Sequence, residues 1–501
     1  MKRAKQTLLC AALLAALMLL GGCAEGPQER EPFDLTQAEI DISAPAPAED
    51  GWAEREALAT LYFLDAAGER LIPVTRQVRV SGGQTLAQAA LFALLAGPQE
   101  GEDASWPQIG NVQAEAWAEF SGETVTVNLP GRARQLTPQM LYAVRLAIAG
   151  TLTEFSGVSY VNVLVGGQEE GLDLGATLPA GTFSRVQDMD VSAQYRRLVE
   201  LGQDGGFTRL TTLFFPTQDG ERVLASVRSV AYASTSPIDG MYTLLAELGK
   251  PDELAAQAIP APMEYIVEMP EIVRTEEGAS RAIELRFDEA LNAALTEAGL
   301  SRDIYLAMLT DTLMGFVPGV EGLLVTIGEE RVTSLDGGEP FAQGLITRGE
   351  FAQFTGSPVT LYAPGEREGE LIPVRRALAQ RDQYSPRARL YGLLALEGEL
   401  RALPQGISEA DVLAVRVEDD RVLLNLSGAF ADALAAMTPE QERVAVYAMV
   451  NTLTEDTDVR GVTFFFGGGQ VASLAGGLEM RGSFVRNPGM VVDQRGSMGA
   501  L

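Results

Sequence analysis

Residues 142–167, YAVRLAIAGTLTEFSGVSYVNVLVGG, decide the fold of this chain. Four apolar residues of the first half recur at helical spacing: Val144, Ile148, Leu152 and Phe155. This spacing predicts a helix with one buried face. Gly157 is predicted to stop the helix, because glycine adopts the left-handed cap conformation without steric cost. The apolar, β-branched run 161–165 follows and ends at two glycines, which is typical of a buried strand.

The same helix, stop and strand recur as IYLAMLTDTLMGFVPGVEGLLVTIGEE from Ile304 and as VAVYAMVNTLTEDTDVRGVTFFFGGG from Val444. Upstream of each unit the sequence predicts a hairpin, a helix and a second hairpin; in the first copy the second hairpin turns at 121–123. LIPV at 71–74 repeats letter for letter at 371–374. The predicted order β-β-α-β-β-α-β indicates an α+β fold, with small mixed sheets and two helices packed on one face of each.

The predicted segments are a lipoprotein signal peptide (1–23), a flexible acidic tether (24–54), a first repeat (55–187), a divergent second repeat (205–346), a third repeat (355–485) and a loose tail (486–501). Each repeat is long enough to bury a core of its own. The linkers between the repeats are short, which favours domains packed in a row.

Charge and composition exclude several classes of function. Asp and Glu number 68 against 38 Lys and Arg, and the net charge of −30 argues against a nucleic-acid partner. The chain has no histidine, which removes Ser-His-Asp, Cys-His and most zinc-hydrolase schemes. Its two cysteines, Cys10 and Cys23, both lie in the predicted leader. We therefore expect no cofactor and no metal site.

The N-terminus begins with a basic stretch and an apolar run that ends in Leu20-Gly21-Gly22-Cys23. Its length is that of a secretory signal, and its end resembles the bacterial lipoprotein box. The resemblance implies cleavage before Cys23 and a diacylglycerol thioether on that cysteine. The alternative is an uncleaved anchor helix. Acyl chains would hold the protein in the lipid bilayer, on the extracytoplasmic face of the cell membrane.

Five motifs together resemble the GerMN domain of sporulation and spore germination lipoproteins. They are LIPV at 71–74, ALLAGP at 93–98, VTVNL at 125–129, NTLTE at 451–455 and V-x-V-x-V-x-G at 161–167. The resemblance implies a fold similar to ring-building modules, and a role in extracytoplasmic assembly during sporulation with an influence on germination. Related domains also occur on lipoproteins linked to two-component signalling.

Glu154 and Glu455 end matching Thr-Leu-Thr-Glu segments and are candidates for acid–base carboxylates of a glycan hydrolase. We favour a structural interpretation, in which these residues end an exposed helix turn and the threonines bond to nearby carbonyls. Asn128 and Asn425 could orient a ligand, but an asparagine at a strand end more often satisfies backbone groups at a turn. No catalytic residue is assigned.

Glycines 166–167 and 467–469 follow strands but lack the phosphate-loop pattern, so tight turns are predicted. Trp52, Trp106 and Trp117 could stack on a sugar; core packing is favoured for Trp117. The function we expect is a non-enzymatic assembly or scaffold lipoprotein that contacts other envelope or sporulation-complex proteins. The alternatives are a cell-wall hydrolase with paired carboxylates and a solute-binding or signalling lipoprotein.

Overall fold

A computed structural model describes residues 46–109, 116–203, 205–251, 255–256, 258–275 and 280–492. The predicted signal peptide, its Cys23 and the first part of the predicted tether lie outside these residues, as do 110–115 of the first repeat. No helix in the described ranges is both long and apolar enough to cross a bilayer.

The three repeats share the order hairpin, helix, hairpin, helix and strand, to which each adds further elements. The first contains β2 (Arg55–Leu64), β3 (Leu71–Val80), α1 (Leu86–Leu95), β4 (Trp117–Ser121), β5 (Thr124–Leu129), α2 (Pro138–Leu152) and β6 (Tyr160–Val165), followed by α3 (Val191–Gln203). The second contains β7 (Phe207–Pro216), β8 (Val223–Tyr232), α4 (Pro237–Glu247), α5 (Pro262–Tyr265), β9 (Glu271–Arg274), β10 (Arg281–Phe287), α6 (Ala290–Glu297), α7 (Arg302–Met314), β11 (Gly322–Ile327) and β12 (Glu330–Arg331). The third contains β13 (Gly356–Pro364), β14 (Leu371–Ala379), α8 (Pro386–Leu394), β15 (Val412–Glu418), β16 (Arg421–Leu426), α9 (Gly428–Ala435), α10 (Pro439–Thr454), β17 (Gly461–Phe466) and β18 (Ser483–Val485).

Each repeat holds two small sheets, which confirms the predicted α+β class. The opening hairpin, such as β2–β3, forms an antiparallel sheet of its own rather than joining one mixed sheet. The second sheet pairs an antiparallel hairpin with a parallel third strand, as in β4–β5–β6. The long helices α2, α7 and α10 pack against the opening hairpins.

The helix predicted over the deciding stretch is present as α2 and is capped by the Thr137 side chain, with Pro138 at its first position. Proline suits this position because its missing N–H would be unpaired there anyway. The helix ends at Leu152, earlier than the predicted stop. Gly157 has a φ of +81° and lies instead in the loop that leads into β6.

The chain before the first repeat is bound to the third repeat. We name residues 46–53 the strap; within it β1 (Gly51–Trp52) pairs in parallel with β15. The Asp50 carboxylate accepts two hydrogen bonds from the Arg387 guanidinium, at 2.5 and 2.6 Å. The predicted flexible tether through residue 54 is therefore wrong for the strap, because these strand and ion-pair contacts hold it.

The tail is also shorter than predicted. Met490 is buried, and the Val492 N–H donates to the Leu371 carbonyl at 2.8 Å. Asn487 exchanges hydrogen bonds with Asn451 of α10, at 2.9 and 3.3 Å. A loose tail from residue 486 is thus wrong for 486–492, which cover the third repeat. Residues 493–501 lie outside the described ranges.

The repeats do not lie in a row, because the first repeat contacts both others. Against the second repeat, the Thr182 N–H donates to the Leu210 carbonyl at 2.8 Å, and the hydroxyls of Thr182 and Thr212 are 2.8 Å apart. One apolar core runs through the first and second repeats, while the third repeat has a separate one. Polar contacts at the turn between β4 and β5 join the first repeat to the third.

Candidate functional site

The turn between β4 and β5 inserts between the other two repeats. Ser121 is buried, and its hydroxyl donates to the Gly356 carbonyl of the third repeat at 2.6 Å. The same hydroxyl accepts from the Ala225 N–H of the second repeat at 3.3 Å. From the third repeat, the Gln383 side-chain amide donates to the Gly122 carbonyl at 3.0 Å. Two adjacent residues, Ser121 at the end of β4 and Gly122 in the turn, thereby bond to both neighbouring repeats.

Gly122 leaves no room for a side chain at this junction. Its φ is +60°, a left-handed conformation that glycine adopts without steric cost. A Cβ added there would lie 2.6 Å from Cγ and 2.9 Å from Cδ of Pro358 in the third repeat. The close approach of the two repeats therefore depends on this glycine.

A cleft of about 370 Å³ opens beside the turn and is lined by residues of all three repeats, including Glu123, Tyr160, Val227, Arg375, Arg389 and Asp456. Arg389 is buried, and its Nε and Nη1 donate to the main-chain carbonyls of Gln383, Thr452 and Glu455, at 2.7 to 3.1 Å. This arginine therefore holds the end of α10 in place.

The two candidate carboxylates each belong to a structural cluster. The Glu154 carboxylate accepts from the Tyr62 hydroxyl at 2.9 Å and from Arg185 at 3.2 Å. In the third repeat, Glu455 binds the Tyr362 hydroxyl at 2.7 Å and pairs with Arg486. The pKa values of both tyrosines are raised, by burial first and then by the hydrogen bond to glutamate.

In the part of the chain that the structure describes, the side-chain partners of Glu154 and Glu455 are a tyrosine and an arginine, rather than the arranged carboxylate pair of a glycan hydrolase. Across the described ranges there is also no group of three or more acidic or cysteine side chains placed to hold a metal ion. Each glutamate joins the end of its long helix, α2 or α10, to the opening strand of its repeat through a tyrosine. It also joins that helix end to the chain after β6 or β17 through an arginine. This arrangement agrees with the structural interpretation.

The first threonine of each Thr-Leu-Thr-Glu segment differs from prediction. Thr151 and Thr452 are buried and accept hydrogen bonds from the main-chain N–H groups of Tyr62 and Tyr362, at 2.9 and 3.0 Å. The helix end is therefore not exposed. Thr153 and Thr454 do bond to nearby carbonyls, each four residues earlier, as predicted.

Thr452→Val is expected to lower the free energy of unfolding by ~1–3 kcal/mol, because the buried Tyr362 N–H would lose its acceptor. Thr454→Val is the matched control. The Thr454 hydroxyl only donates to the Val450 carbonyl, so its loss should cost less. Urea unfolding of the two variants measures the difference, and equal losses would refute a special role for Thr452.

The second repeat has the equivalent of Thr151 and Thr452 but lacks the tyrosine and the glutamate of the cluster. Thr312 accepts from the Phe214 N–H at 2.9 Å, so phenylalanine stands where the other repeats have tyrosine. The glutamate position is Gly315, yet the arginine remains as Arg348. The tyrosine hydroxyl and the carboxylate are thus missing together, which leaves a buried arginine without its usual partners.

Arg348 finds new partners, one of them in the first repeat. It lies 3.6 Å from the Asp311 carboxylate, 3.4 Å from Glu119 of the first repeat, and over the Phe214 ring at 5.4 Å. Burial raises the pKa of Asp311 to about 7, against the opposing effect of Arg348. In the second repeat this cluster therefore serves as a contact between repeats.

A second buried ion pair lies in the first repeat, between Arg145 and Glu169, with 3.5 Å between nitrogen and oxygen. Glu169 also accepts from the Ala180 N–H at 2.8 Å, and its main-chain carbonyl accepts from the Gly319 N–H of the second repeat at 3.0 Å. Burial raises the pKa of Glu169 to about 7.

The raised pKa of Glu169 predicts a pH dependence of stability. In the unfolded chain a glutamate ionises near pH 4.5, and in the fold near pH 7. Its contribution is therefore complete below pH 4.5 and is lost as the pH rises toward 7, by up to ~3 kcal/mol. Glu169→Gln should flatten the decline in unfolding free energy between pH 4.5 and 7. Parallel curves for variant and parent would contradict the assignment.

The asparagines and glycines at the strand ends form turns, as the sequence predicts. Asn128 accepts from the Gly167 N–H at 2.7 Å, and Asn425 accepts from the Gly468 N–H at 3.1 Å. Asn425 also donates to the Pro47 carbonyl of the strap at 3.0 Å. The glycine turns after β6 and β17 have positive φ angles, from +57° to +86°.

The tryptophans occupy three different environments. Trp106 packs edge-on against Phe63, with ring centres 5.9 Å apart. Trp52 lies in the strap and packs against the core of the third repeat. Core packing was predicted for Trp117 and is wrong, since 36% of its surface is exposed. Its edge strand turns this side chain away from the buried Phe120 face.

Comparison with known proteins identifies the family of two segments of the chain. Residues 60–171 and 360–472 each match the Germane family, described as sporulation and spore germination. Both segments are sporulation and spore germination (GerMN) domains. The match covers the first and third repeats, and the second repeat shares their element order.

Solved structures similar to this chain include the tandem GerMN domains of the sporulation protein GerM from Bacillus subtilis. That match has 17% identity and a TM-score of 0.22, and it covers 56% of this chain and 98% of that one. A putative lipoprotein from Clostridium perfringens matches with 17% identity and a TM-score of 0.18, covering 26% of this chain and 87% of that one. No curated protein matches the sequence.

The sequence analysis missed the arginines of these three clusters, Arg185, Arg348 and Arg486. They sit in short segments after each unit, Phe183-Ser184-Arg185, Ile346-Thr347-Arg348 and Phe484-Val485-Arg486. The first residue of each segment pairs with the strand that follows the long helix of its repeat. These strands are β6, β11 and β17, and the paired residues are Val161, Leu323 and Val462. The recurring pattern of an apolar residue two positions before an arginine was the available signal.

Proposed function

We propose that this protein is a lipid-anchored, non-enzymatic scaffold of the cell envelope that acts in sporulation and spore germination. Acylated Cys23 would hold it on the extracytoplasmic face of the membrane. Family membership supports the process, and the lipobox-like sequence supports the anchor. The proposal makes other envelope or sporulation-complex proteins its partners.

The observation that carries the scaffold role is the junction at Ser121. Two adjacent residues that bond to both other repeats join three small domains into one body, which suits a part that holds partners at fixed positions. Glu154 and Glu455 each have a tyrosine and an arginine as partners, so the two candidate catalytic groups serve the fold instead.

The test is crosslinking of the full-length, lipidated chain in sporulating cells, followed by its purification. A reproducible set of envelope proteins should co-purify with the parent chain. The matched control is Cys23→Ser, which removes the acyl attachment and should lose the membrane-bound fraction of that set. Recovery of wall fragments whose release requires Glu154 and Glu455 would overturn the proposal in favour of a hydrolase.

A further inference from the structure

In each repeat, the first strand of the second hairpin (β4, β9 or β15) directs one carbonyl away from the central strand at an equivalent position. These residues are Phe120, Ile272 and Val417, which lie opposite Val125, Ile283 and Val422 of the central strands. Each of these residues forms a non-hydrogen-bonded pair with the residue opposite it in the hairpin. Its main-chain N–H and C=O therefore point away from the central strand, toward the free side of its own strand.

Two of the three carbonyls are bonded within the chain. Phe120 accepts from the Ser357 hydroxyl at 2.7 Å, and Val417 accepts from the Ala53 N–H of the strap at 2.8 Å. Within the ranges that the structure describes, Ile272 has no such partner outside its own sheet. An uncovered strand edge of this kind is a template for a further strand.

The strap shows how the third repeat fills its edge. Asp50 binds Arg387 and also accepts from the Val415 N–H at 2.9 Å. Arg387 in turn donates to the Tyr391 hydroxyl at 2.7 Å. The Arg387 guanidinium and the Val415 N–H therefore favour an acidic residue at the position of Asp50 in the strand that pairs with β15.

The second repeat has the same platform with different chemistry. Helices α4 and α8 align as SPIDGMYTLL and SPRARLYGLL, so Ile238 stands where Arg387 stands and Tyr242 where Tyr391 stands. Pro270, one residue before β9, takes the place of Val415 and has no N–H. Both groups that bind an aspartate are thus absent, and an apolar side chain, 43% exposed, is present instead.

The surroundings of this edge are apolar and acidic. Val267 and Met269 are 58% and 72% exposed. Glu264, Glu268 and Glu271 are exposed beside them; Glu268 pairs with Arg286 at 3.4 Å, and Glu271 lies where the third repeat has Arg416. An apolar surface fringed by carboxylates favours a partner that carries basic residues, and disfavours a second copy of a chain with a net charge of −30.

We propose that the edge of β9 binds an extended segment of another protein, added parallel to β9 as the strap is to β15. The segment carries an apolar side chain at the position of Asp50, flanked by lysine or arginine. This inference rests on the proposed scaffold function and identifies its partner surface.

The probe is a fluorescent peptide that copies the strap with two changes, APAKLGWA, compared with the strap sequence APAEDGWA. Anisotropy titration of the full chain should show binding of the Lys-Leu peptide at least roughly tenfold tighter than that of the natural peptide. Ile238→Arg should reverse this preference, because it restores the arginine that binds aspartate. Ile272→Pro should weaken both, because it removes an outward N–H that is not used in the β9–β10 ladder.

Equal affinity for the two peptides, or no reversal in Ile238→Arg, would overturn the inference. Dimerisation that is lost in Ile238→Arg would also overturn it, since the occupant would then be a second copy. In the cell crosslinking experiment, envelope proteins that still co-purify with Ile238→Arg would reject this surface and leave the scaffold function standing. No co-purified envelope protein with the parent chain would reject the scaffold function itself.

Discussion

Replacement of Arg348 by methionine is expected to lower the free energy of unfolding by ~3–5 kcal/mol, because it leaves a buried carboxylate without its counter-charge. Asp311 is buried, and Arg348 is the cation beside it, at 3.6 Å. The same substitution removes the contact with Glu119 of the first repeat. The effect should therefore appear both in urea unfolding and in faster hydrogen exchange where the first and second repeats meet.

Arg185→Met is the matched control, because Arg185 occupies the equivalent position of the first repeat but its side chain is 66% exposed. Exposed ion pairs contribute at most ~1 kcal/mol, so this variant should stay close to the parent. Adding Asp311→Asn to Arg348→Met should recover part of the loss, since it removes the unpaired charge. Equal losses for Arg348→Met and Arg185→Met would contradict the account of the second repeat.

Gly122→Ala is expected to open the contact between the first and third repeats. An alanine Cβ at this position would lie 2.6 Å from Pro358 Cγ, too close for any side chain, and the positive φ adds backbone strain. Overpacking costs ~1–3 kcal/mol and left-handed backbone another ~1–2 kcal/mol, so the total should reach about 3 kcal/mol. Hydrogen exchange in β13 should rise together with the loss of stability.

The control separates the clash from the strain. Gly467 has nearly the same φ, +59°, but a Cβ there would come no closer than 4.0 Å to any atom outside its neighbours. Gly467→Ala should therefore cost only the backbone strain, ~1–2 kcal/mol. If the two alanine variants lost the same stability and left β13 equally protected, the first and third repeats would not meet at Gly122.

Local patterns predicted the elements of this fold well. The helix and strand within 142–167 and the turn at 121–123 follow from apolar periodicity and glycine placement, which act over a few residues. Such patterns hold no information on which surfaces meet at long range. Ser121 looks like an ordinary turn residue, yet its hydroxyl bonds to a carbonyl 235 residues away. The junction of the repeats could not be predicted for that reason.

The strap and the arginine clusters were missed for related reasons. Residues 46–53 are rich in proline, alanine and acid, a composition typical of a tether, and they become ordered only through β15 and Arg387. The glutamates Glu154 and Glu455 were found by their repeated motif, but their tyrosine and arginine partners come from other segments of the chain. The recurring carboxylate could therefore be assigned a structural role from the sequence, but not the side chains that it contacts.

Small-angle X-ray scattering of the unlipidated chain from residue 46 tests the central claim, that the three repeats close on one another. A single compact body of about 450 residues should have a radius of gyration of roughly 22 Å, whereas three such domains in a row should give roughly 32 Å. The account predicts a radius of gyration near the compact value of roughly 22 Å for the parent chain and an increase in Gly122→Ala. A parent radius of gyration near roughly 32 Å, unchanged by Gly122→Ala, would contradict it.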